Sequence, residues 1–230
     1  VSYLHPSIAL LHRQLVVSCQ APVDSPLHEP LVIAAMAEAA IQQGAAGVRI
    51  DTPSHVQAVR QRLDAPIIGL WKRSYTGSDV YITPRFEQAA AIAAVGADII
   101  AIDATLRSRP DGETVSSLIE QIHTELGKPV MADVDTLEAG IAAAAAGADL
   151  VGTTLYGYTA ATQHLLPPGL DLLTQLVQTL MVPVICEGGI ASPEMARQAL
   201  DRGAYAVVVG TAITGIDAQV KAYRAALAEG

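Results

Sequence analysis

Aromatic residues make up only 4% of this 230-residue chain, with a single Trp and a single Phe. A core without large rings must be filled by Ala, Val, Ile and Leu, which suits short buried strands and closely packed helices. Cysteine is nearly absent. Cys19 and Cys186 cannot make a disulfide framework, and both read as small buried residues of a protein kept in a reducing cytosol. Charged residues reach 16%, against the ~25% of an average domain. Positive charge is the scarcer sign, with 14 Lys and Arg against 23 Asp and Glu, a net −9. That balance leaves no basic stripe for nucleic acid. No apolar run approaches the ~18–20 residues of a membrane span; the alanine-rich stretch from Ala139 to Ala148 is closed off by Glu138 and Asp149. Val1 to Arg13 lack the charged start, apolar centre and cleavage site of a secretory signal. A soluble, compact, cytoplasmic protein is expected, binding neither nucleic acid nor membrane.

What is present is one pattern, repeated. Continuous apolar runs of strand length recur at Leu15–Val17, Gly47–Ile50, Ile67–Trp71, Ile99–Ile102, Val130–Ala132, Leu150–Leu155, Val184–Cys186 and Ala206–Val209. Runs without alternation are the mark of parallel strands buried on both faces. Helical spacing fills the gaps, as in Ile33, Met36, Ala37, Ala40 and Ile41. Gly-Ala precedes the even-numbered strands (Gly44, Gly96, Gly147, Gly203), and a proline opens three odd-numbered ones (Pro66, Pro129, Pro183). Glycine ends a helix in the left-handed conformation, and proline is tolerated at a strand's first residue. Eight strand–helix units predict a single-domain (β/α)8 TIM barrel spanning residues 1–230. A doubly wound open sheet is disfavoured, because no Gly-x-Gly-x-x-Gly follows an early strand. Two long loops, Arg73–Thr83 and Tyr156–Gly169, leave the C-terminal ends of strands, where barrel active sites are built, and read as pocket walls or lids.

Side chains on a strand alternate faces, so residues can be aligned by parity. Counted from the opening prolines, Lys72, Asp133 and Glu187 fall at even offsets; counted from the glycines, Arg49, Asp103, Thr154 and Gly210 fall at odd ones. Each set shares a face. A barrel interior is apolar lower down, so polar inward residues must gather at its mouth. Lys72 and Glu187 come from strands four apart in a ring of eight and should face each other across that mouth. Lys72 fits a base or a Schiff-base amine, and Glu187 an acid or base. Gln20 and Arg49 end the first two strands as substrate contacts, with Thr154 beside them. Asp103 and Asp133 either touch substrate or hold a neighbouring cation. Gly188, Gly189, Gly210 and Thr211 follow the seventh and eighth strands, where barrels offer backbone N–H groups to a phosphate. His28 and His55 read as exposed residues at helix starts, so neither a metal nor another cofactor is expected.

With these residues in hand, the chain from Gln20 to Ile213 resembles the N-acetylmannosamine-6-phosphate 2-epimerases, a family of (β/α)8 barrels. The resemblance rests on Gly152-Thr153-Thr154-Leu155-Tyr156-Gly157-Tyr158-Thr159 and on Ile102-Asp103-Ala104-Thr105 with Arg107, Arg109 and Pro110. Lys72-Arg73, Ala132-Asp133-Val134 and Gly210-Thr211-Ala212-Ile213-Thr214 add to it. It implies interconversion of N-acetylmannosamine 6-phosphate and N-acetylglucosamine 6-phosphate in amino-sugar and sialic-acid catabolism, without a redox cofactor. It also implies catalytic roles for Lys72 and Glu187, with Gln20, Arg49 and Asp133 in the substrate site. Gly189 and Gly215 stand where the family often carries arginine. A depressed Lys72 pKa, helped by burial and by neighbouring Arg73, is expected if that lysine acts as a base. A small phosphosugar is the expected partner, with a homodimer as the assembly to test. The same residues leave two alternatives open: a Schiff-base aldolase or synthase on a phosphorylated sugar, and a phosphosugar-binding barrel without turnover.

Overall fold

A computed structural model of the chain describes residues 4–228. Its eight strands are β1 (Leu15–Cys19), β2 (Gly47–Asp51), β3 (Ile67–Leu70), β4 (Ile99–Asp103), β5 (Val130–Asp133), β6 (Leu150–Gly152), β7 (Val184–Glu187) and β8 (Ala206–Val209). They pair in parallel, in sequence order, and β8 closes on β1. The expected (β/α)8 barrel is the observed fold. Around it run α2 (Pro30–Gln42), α3 (Pro53–Arg60), α4 (Phe86–Ala94), α5 (Val115–Gln121), α6 (Leu137–Ala145), α7 (Leu170–Thr179) and α8 (Pro193–Asp201). Short α1 (Pro6–Ala9) precedes the barrel, and α9 (Thr211–Thr214) and α10 (Ile216–Ala228) follow it. Among the described residues, no helix is long and apolar enough to cross a membrane.

Local sequence explains where the helices start and stop. Proline occupies the first turn of α1, α2, α3 and α8, where its missing N–H costs nothing. Thr136 and Ser192 cap α6 and α8 with side-chain oxygens. Past α2, α4, α6 and α8 the chain reverses through Gly44, Gly96, Gly147 and Gly203, with φ between 95° and 103°. These are the four glycines of the Gly-Ala signature.

The apolar residues form two layers. Val16, Ile68, Leu70, Ile99, Ala101, Met131, Leu150, Ile185, Ala206 and Val208 fill the barrel itself. Ile8 of α1 and Leu11 just after it join them from below. The larger cluster, including Val17, Ile50, Ile67, Ile100, Ile102, Val151 and Val207, lies between the barrel and its helices. Strand residues of one parity are thus inside and those of the other outside, as the offsets require.

Strand ends differ from the apolar runs in ways that shape the site. β2, β4, β5 and β7 each run one residue further, to Asp51, Asp103, Asp133 and Glu187. β6 stops at Gly152 rather than Leu155, because the Thr153 side chain takes over the ladder. Its hydroxyl accepts from Glu187 N–H at 3.1 Å and donates to Glu187 C=O at 2.9 Å. β3 stops at Leu70, and Trp71 N–H turns to Thr83 Oγ1 at 3.1 Å.

Candidate active site

The loop after β3 folds back on itself. Lys72 bridges Ile82 in antiparallel fashion, Arg73 N–H donates to Tyr81 C=O at 2.9 Å, and Gly77 turns the tip at φ 82°. Val80 and Ile82 are buried beneath it. The loop after β6 is tied down by Thr159, whose hydroxyl donates to Asp135 Oδ2 at 2.6 Å, and by Thr162, which accepts from Gly157 N–H at 2.9 Å. Both long loops are therefore built walls.

Between them, inward residues of four strands meet. Arg49 of β2 reaches across the barrel to two carboxylates. Its Nη2 donates to Asp133 Oδ2 at 2.7 Å, and its Nη1 to Asp133 Oδ1 at 3.0 Å and Glu187 Oε2 at 2.6 Å. Thr154 Oγ1 donates to Asp133 Oδ1 at 2.6 Å and lies 3.3 Å from Glu187 Oε2. Gly152 makes room for this cluster: a Cβ there would stand 2.5 Å from Met131 Cε and 3.1 Å from Thr154 Oγ1.

On the other side, the Lys72 ammonium donates to Gln20 Oε1 at 2.5 Å, and Gln20 Nε2 donates to Ser18 Oγ at 3.0 Å. Asp51 fixes the backbone beneath, accepting from Lys72 N–H at 2.9 Å. The structure thus brings Gln20, Arg49, Lys72, Asp133, Thr154 and Glu187 to one mouth. Gly188 and Gly189, both left-handed at φ 96° and 70°, leave β7, while Gly210 and Thr211 open α9 at the end of β8.

Arg49 is fully buried. Burial opposes its charge, but Asp133 and Glu187 outweigh that penalty and hold its pKa above the ordinary arginine value. Burial, reinforced by Asp133, pushes the Glu187 carboxyl up to about 7, against the pull of Arg49, Lys72 and Thr154. Lys72 moves the other way. Loss of hydration, seconded by Arg49, lowers its pKa despite Asp51, Glu187 and Asp133. Acid and base are drawn toward each other in pKa, an arrangement typical of proton-transfer sites.

Two expectations need correction, those for Arg73 and for the histidines. Arg73 lies over the Trp71 ring at 5.2 Å, and the cation that bears on Lys72 is Arg49. His55 is buried rather than exposed, and His28 is half-buried; their rings meet edge-on with centroids 4.6 Å apart. Asp103 holds a neighbouring cation, one of the two roles expected of it: Arg107 Nη2 donates to it at 2.6 Å and Thr105 Oγ1 at 2.7 Å. The cysteines are as expected: Cys19 and Cys186 are buried, and desolvation raises their thiols to about 12 and about 11, away from nucleophilic use.

Two residues of the mouth escape the sequence reading. Asp51 shares the inward parity of Arg49, so extending that strand by one step finds it. Tyr81 comes from the folded-back loop, and no periodicity marks it. Burial, with Asp133 and Asp103 close by, raises its phenol to about 12.

A family model described as "Putative N-acetylmannosamine-6-phosphate epimerase" matches residues 33–229. The chain belongs to this family. A curated relative from Synechococcus elongatus, named "Putative N-acetylmannosamine-6-phosphate 2-epimerase", is 68% identical over 219 residues and covers 94% of each chain. One of the same name from Clostridium perfringens is 45% identical over 200 residues, 87% of this chain and 90% of its own. The solved structure of the N-acetylmannosamine-6-phosphate 2-epimerase from Clostridium perfringens superposes with a TM-score of 0.92 at 41% identity, covering 97% of both chains. Within the epimerase family's barrel, Gly189 has a local reason here. It is left-handed, and a Cβ would stand 2.8 Å from the Pro167 carbonyl carbon and 3.0 Å from Pro168 N. Gly215 is also pressed, its Cβ position lying 2.8 Å from Thr211 Cα. Neither site accepts an arginine without a shift of the adjoining loop.

Proposed function

We propose that this chain is a carbohydrate 2-epimerase that interconverts N-acetylmannosamine 6-phosphate and N-acetylglucosamine 6-phosphate in the cytoplasm, within amino-sugar and sialic-acid catabolism. One observation carries the reading: a lysine with a lowered pKa and a carboxyl with a raised one meet at a single barrel mouth, from strands four apart.

Epimerisation at C2 needs the open-chain sugar, whose C1 carbonyl acidifies the C2–H bond. A neutral Lys72 amine takes that proton from one face, leaving an enolate. Glu187, titrating near 7, holds a proton for the opposite face at neutral pH. Run backwards, the two exchange roles, so no group beyond these side chains is consumed. Glu187 also suits proton transfer to the ring oxygen during opening. Arg49 keeps Glu187 and Asp133 in place and supplies fixed positive charge next to the forming enolate. Gln20 and Thr154 orient the substrate hydroxyls and the acetamido group. The phosphate sits against the backbone N–H groups after β7 and β8, from Gly188, Gly189, Gly210 and Thr211. The first N–H groups of α9 have no partner within the helix, which supports that placement.

The test is incubation with N-acetylmannosamine 6-phosphate, followed by proton NMR of the sugar. Appearance of the N-acetylglucosamine epimer is expected. Release of pyruvate or a free aldehyde, or tight binding with no conversion, would overturn the reading.

A further inference from the structure

The returning half of the β3 loop, Ser78 to Pro84, is held down by the segment that follows β4. Ser78 Oγ donates to Ser108 C=O at 2.9 Å, and Arg107 Nη1 donates to Asp79 C=O at 2.8 Å. Arg109 Nη2 donates to the carbonyls of Thr83 at 2.8 Å and Pro84 at 2.7 Å, and its Nη1 reaches Asp103 C=O. Asp103 N–H closes on Ile82 C=O at 2.8 Å, and Thr83 Oγ1 on Ala101 C=O at 2.7 Å. Arg107 is anchored in turn by the Asp103 carboxylate and Thr105. Both guanidiniums are committed to the protein itself, so they fix a position rather than bind a phosphate. The motif of Asp103, Thr105, Arg107 and Arg109 is a clamp on this loop.

What the clamp presents is Tyr81. Its half-buried ring packs against the apolar residues that fill the barrel. Its backbone is tied beside Lys72, since Arg73 N–H donates to Tyr81 C=O at 2.9 Å. Among the described residues its hydroxyl has no hydrogen-bond partner, and it is not sealed in either. The charges that bear on it are Asp133, Asp103, Arg107 and Arg49, so it stands next to the Arg49–Asp133 pair at the centre of the site. Burial first, then the two carboxylates, raises the phenol to about 12, so it keeps its proton and remains a donor at neutral pH. A tyrosine in a pocket ordinarily has its hydroxyl paired. Here the open side of that hydroxyl is the mouth.

We propose that Tyr81 recognises the C2 substituent of the sugar: its hydroxyl donates to the acetamido carbonyl, and its ring covers the acetamido methyl. Given the epimerase reading above, on which this rests, the phosphate lies against β7 and β8, and C2 lies between Lys72 and Glu187. The β3 to β5 side of the mouth is then left for the groups at the C1–C2 end. Strand β4, whose following segment holds the clamp, stands opposite β8 in the ring. An acetamido group brings a neutral acceptor to this place, where Asp103 and Asp133 would repel an anion. The ring and the apolar barrel top beside it suit the methyl. Tyr81 is thus a specificity residue for N-acetylated phosphosugars, and it moves no proton.

Tyr81→Phe keeps the ring and the backbone clamp and removes only the unpaired hydroxyl. Calorimetric binding of N-acetylglucosamine 6-phosphate should weaken ~3–10-fold, the scale of one hydrogen bond to a neutral group. Binding of glucose 6-phosphate, which carries a hydroxyl at C2, should stay as in the wild type. With N-acetylmannosamine 6-phosphate as substrate, KM should rise by the same factor and kcat change by less than ~2-fold, as for an interaction common to ground and transition states. Equal weakening for both sugars, as a loosened loop would give, overturns the proposal. So does unchanged binding of the N-acetylated sugar, or a fall in kcat at constant KM, which would put Tyr81 in the chemistry instead. A wild type that binds the N-acetylated sugar and converts none removes the epimerase reading, while the two-sugar comparison still decides for or against Tyr81.

Discussion

Nη1 of Arg49 stands 2.6 Å from Oε2 of Glu187, while the same guanidinium grips both oxygens of Asp133. One buried cation thus serves two buried carboxylates, and the second cation at the mouth is Lys72. With all four groups ionised the charges balance. Passing one proton from Lys72 to Glu187 leaves Arg49 and Asp133 as a closed pair and two neutral groups. The site can hold either state without stranding a charge, and this is what a residue pair that trades protons with a substrate requires.

Removing the shared cation should be felt first as instability. Arg49→Met keeps an unbranched stem but removes the guanidinium that pairs with both Asp133 and Glu187. Breaking a buried pair in this way costs about 3–5 kcal/mol. A chemical-denaturation curve should show a loss of that size. An unchanged midpoint and slope would mean that the ion pairs add nothing to the fold.

Lys72→Ala and Glu187→Gln should each lower kcat by at least ~10², the scale of one positioned proton-transfer group. Lys72→Ala removes only the contact to Gln20 at the mouth, and Glu187→Gln keeps an oxygen that can still accept from Arg49, so both proteins should fold and retain measurable binding. Near-wild-type turnover in either variant would remove that residue from the chemistry.

Glu187 also leaves a mark on stability. Its folded pKa of about 7 lies above the 4.5 of a free glutamate. Between these values the unfolded chain has released the proton and the native chain still holds it, so stability falls as pH rises. Below about pH 4.5 the contribution is fully present; above about pH 7 it is gone. The upper bound is about 3 kcal/mol. Urea unfolding at several pH values should show this decline in the wild type and a flatter profile in Glu187→Gln. Parallel profiles would contradict the raised pKa.

Gly189→Arg would restore the residue often found in the family at this position, yet here it should destabilise. A left-handed backbone and the nearby Pro167 and Pro168 both resist a Cβ. The expected loss is about 1–3 kcal/mol, read as a lower thermal midpoint, with no gain in substrate affinity. A fully stable variant would show that the β6–α7 loop moves freely.

The barrel was legible because its signals repeat. Four Gly-Ala entries and three strand-opening prolines set the strand count, and period-two parity then sorted Lys72, Asp133 and Glu187 from the residues facing the helices. Arg49 was placed by the same parity, but its partner choice was not. A side chain that crosses the barrel obeys distances between strands far apart in sequence. Tyr81 was invisible because a loop folding back carries no period. His55 was misplaced because an N-terminal helix position next to a proline gives no measure of what packs over it. The end of β6 was overrun because a threonine hydroxyl replaced the backbone ladder at Thr153, which an apolar run does not reveal.

In the proposed mechanism a proton leaves C2 to one side chain and returns from another on the opposite face. The direct measurement is epimerisation of N-acetylmannosamine 6-phosphate in deuterated water, with deuterium at C2 of the product read by NMR during the first turnovers. With Lys72 and Glu187 each serving one face, the returning proton comes from a group equilibrated with solvent, and incorporation should approach one deuterium per product molecule. Early product carrying much less than one would mean that a single shielded group shuttles the same proton. Conversion with none at all would contradict the two-residue mechanism outright.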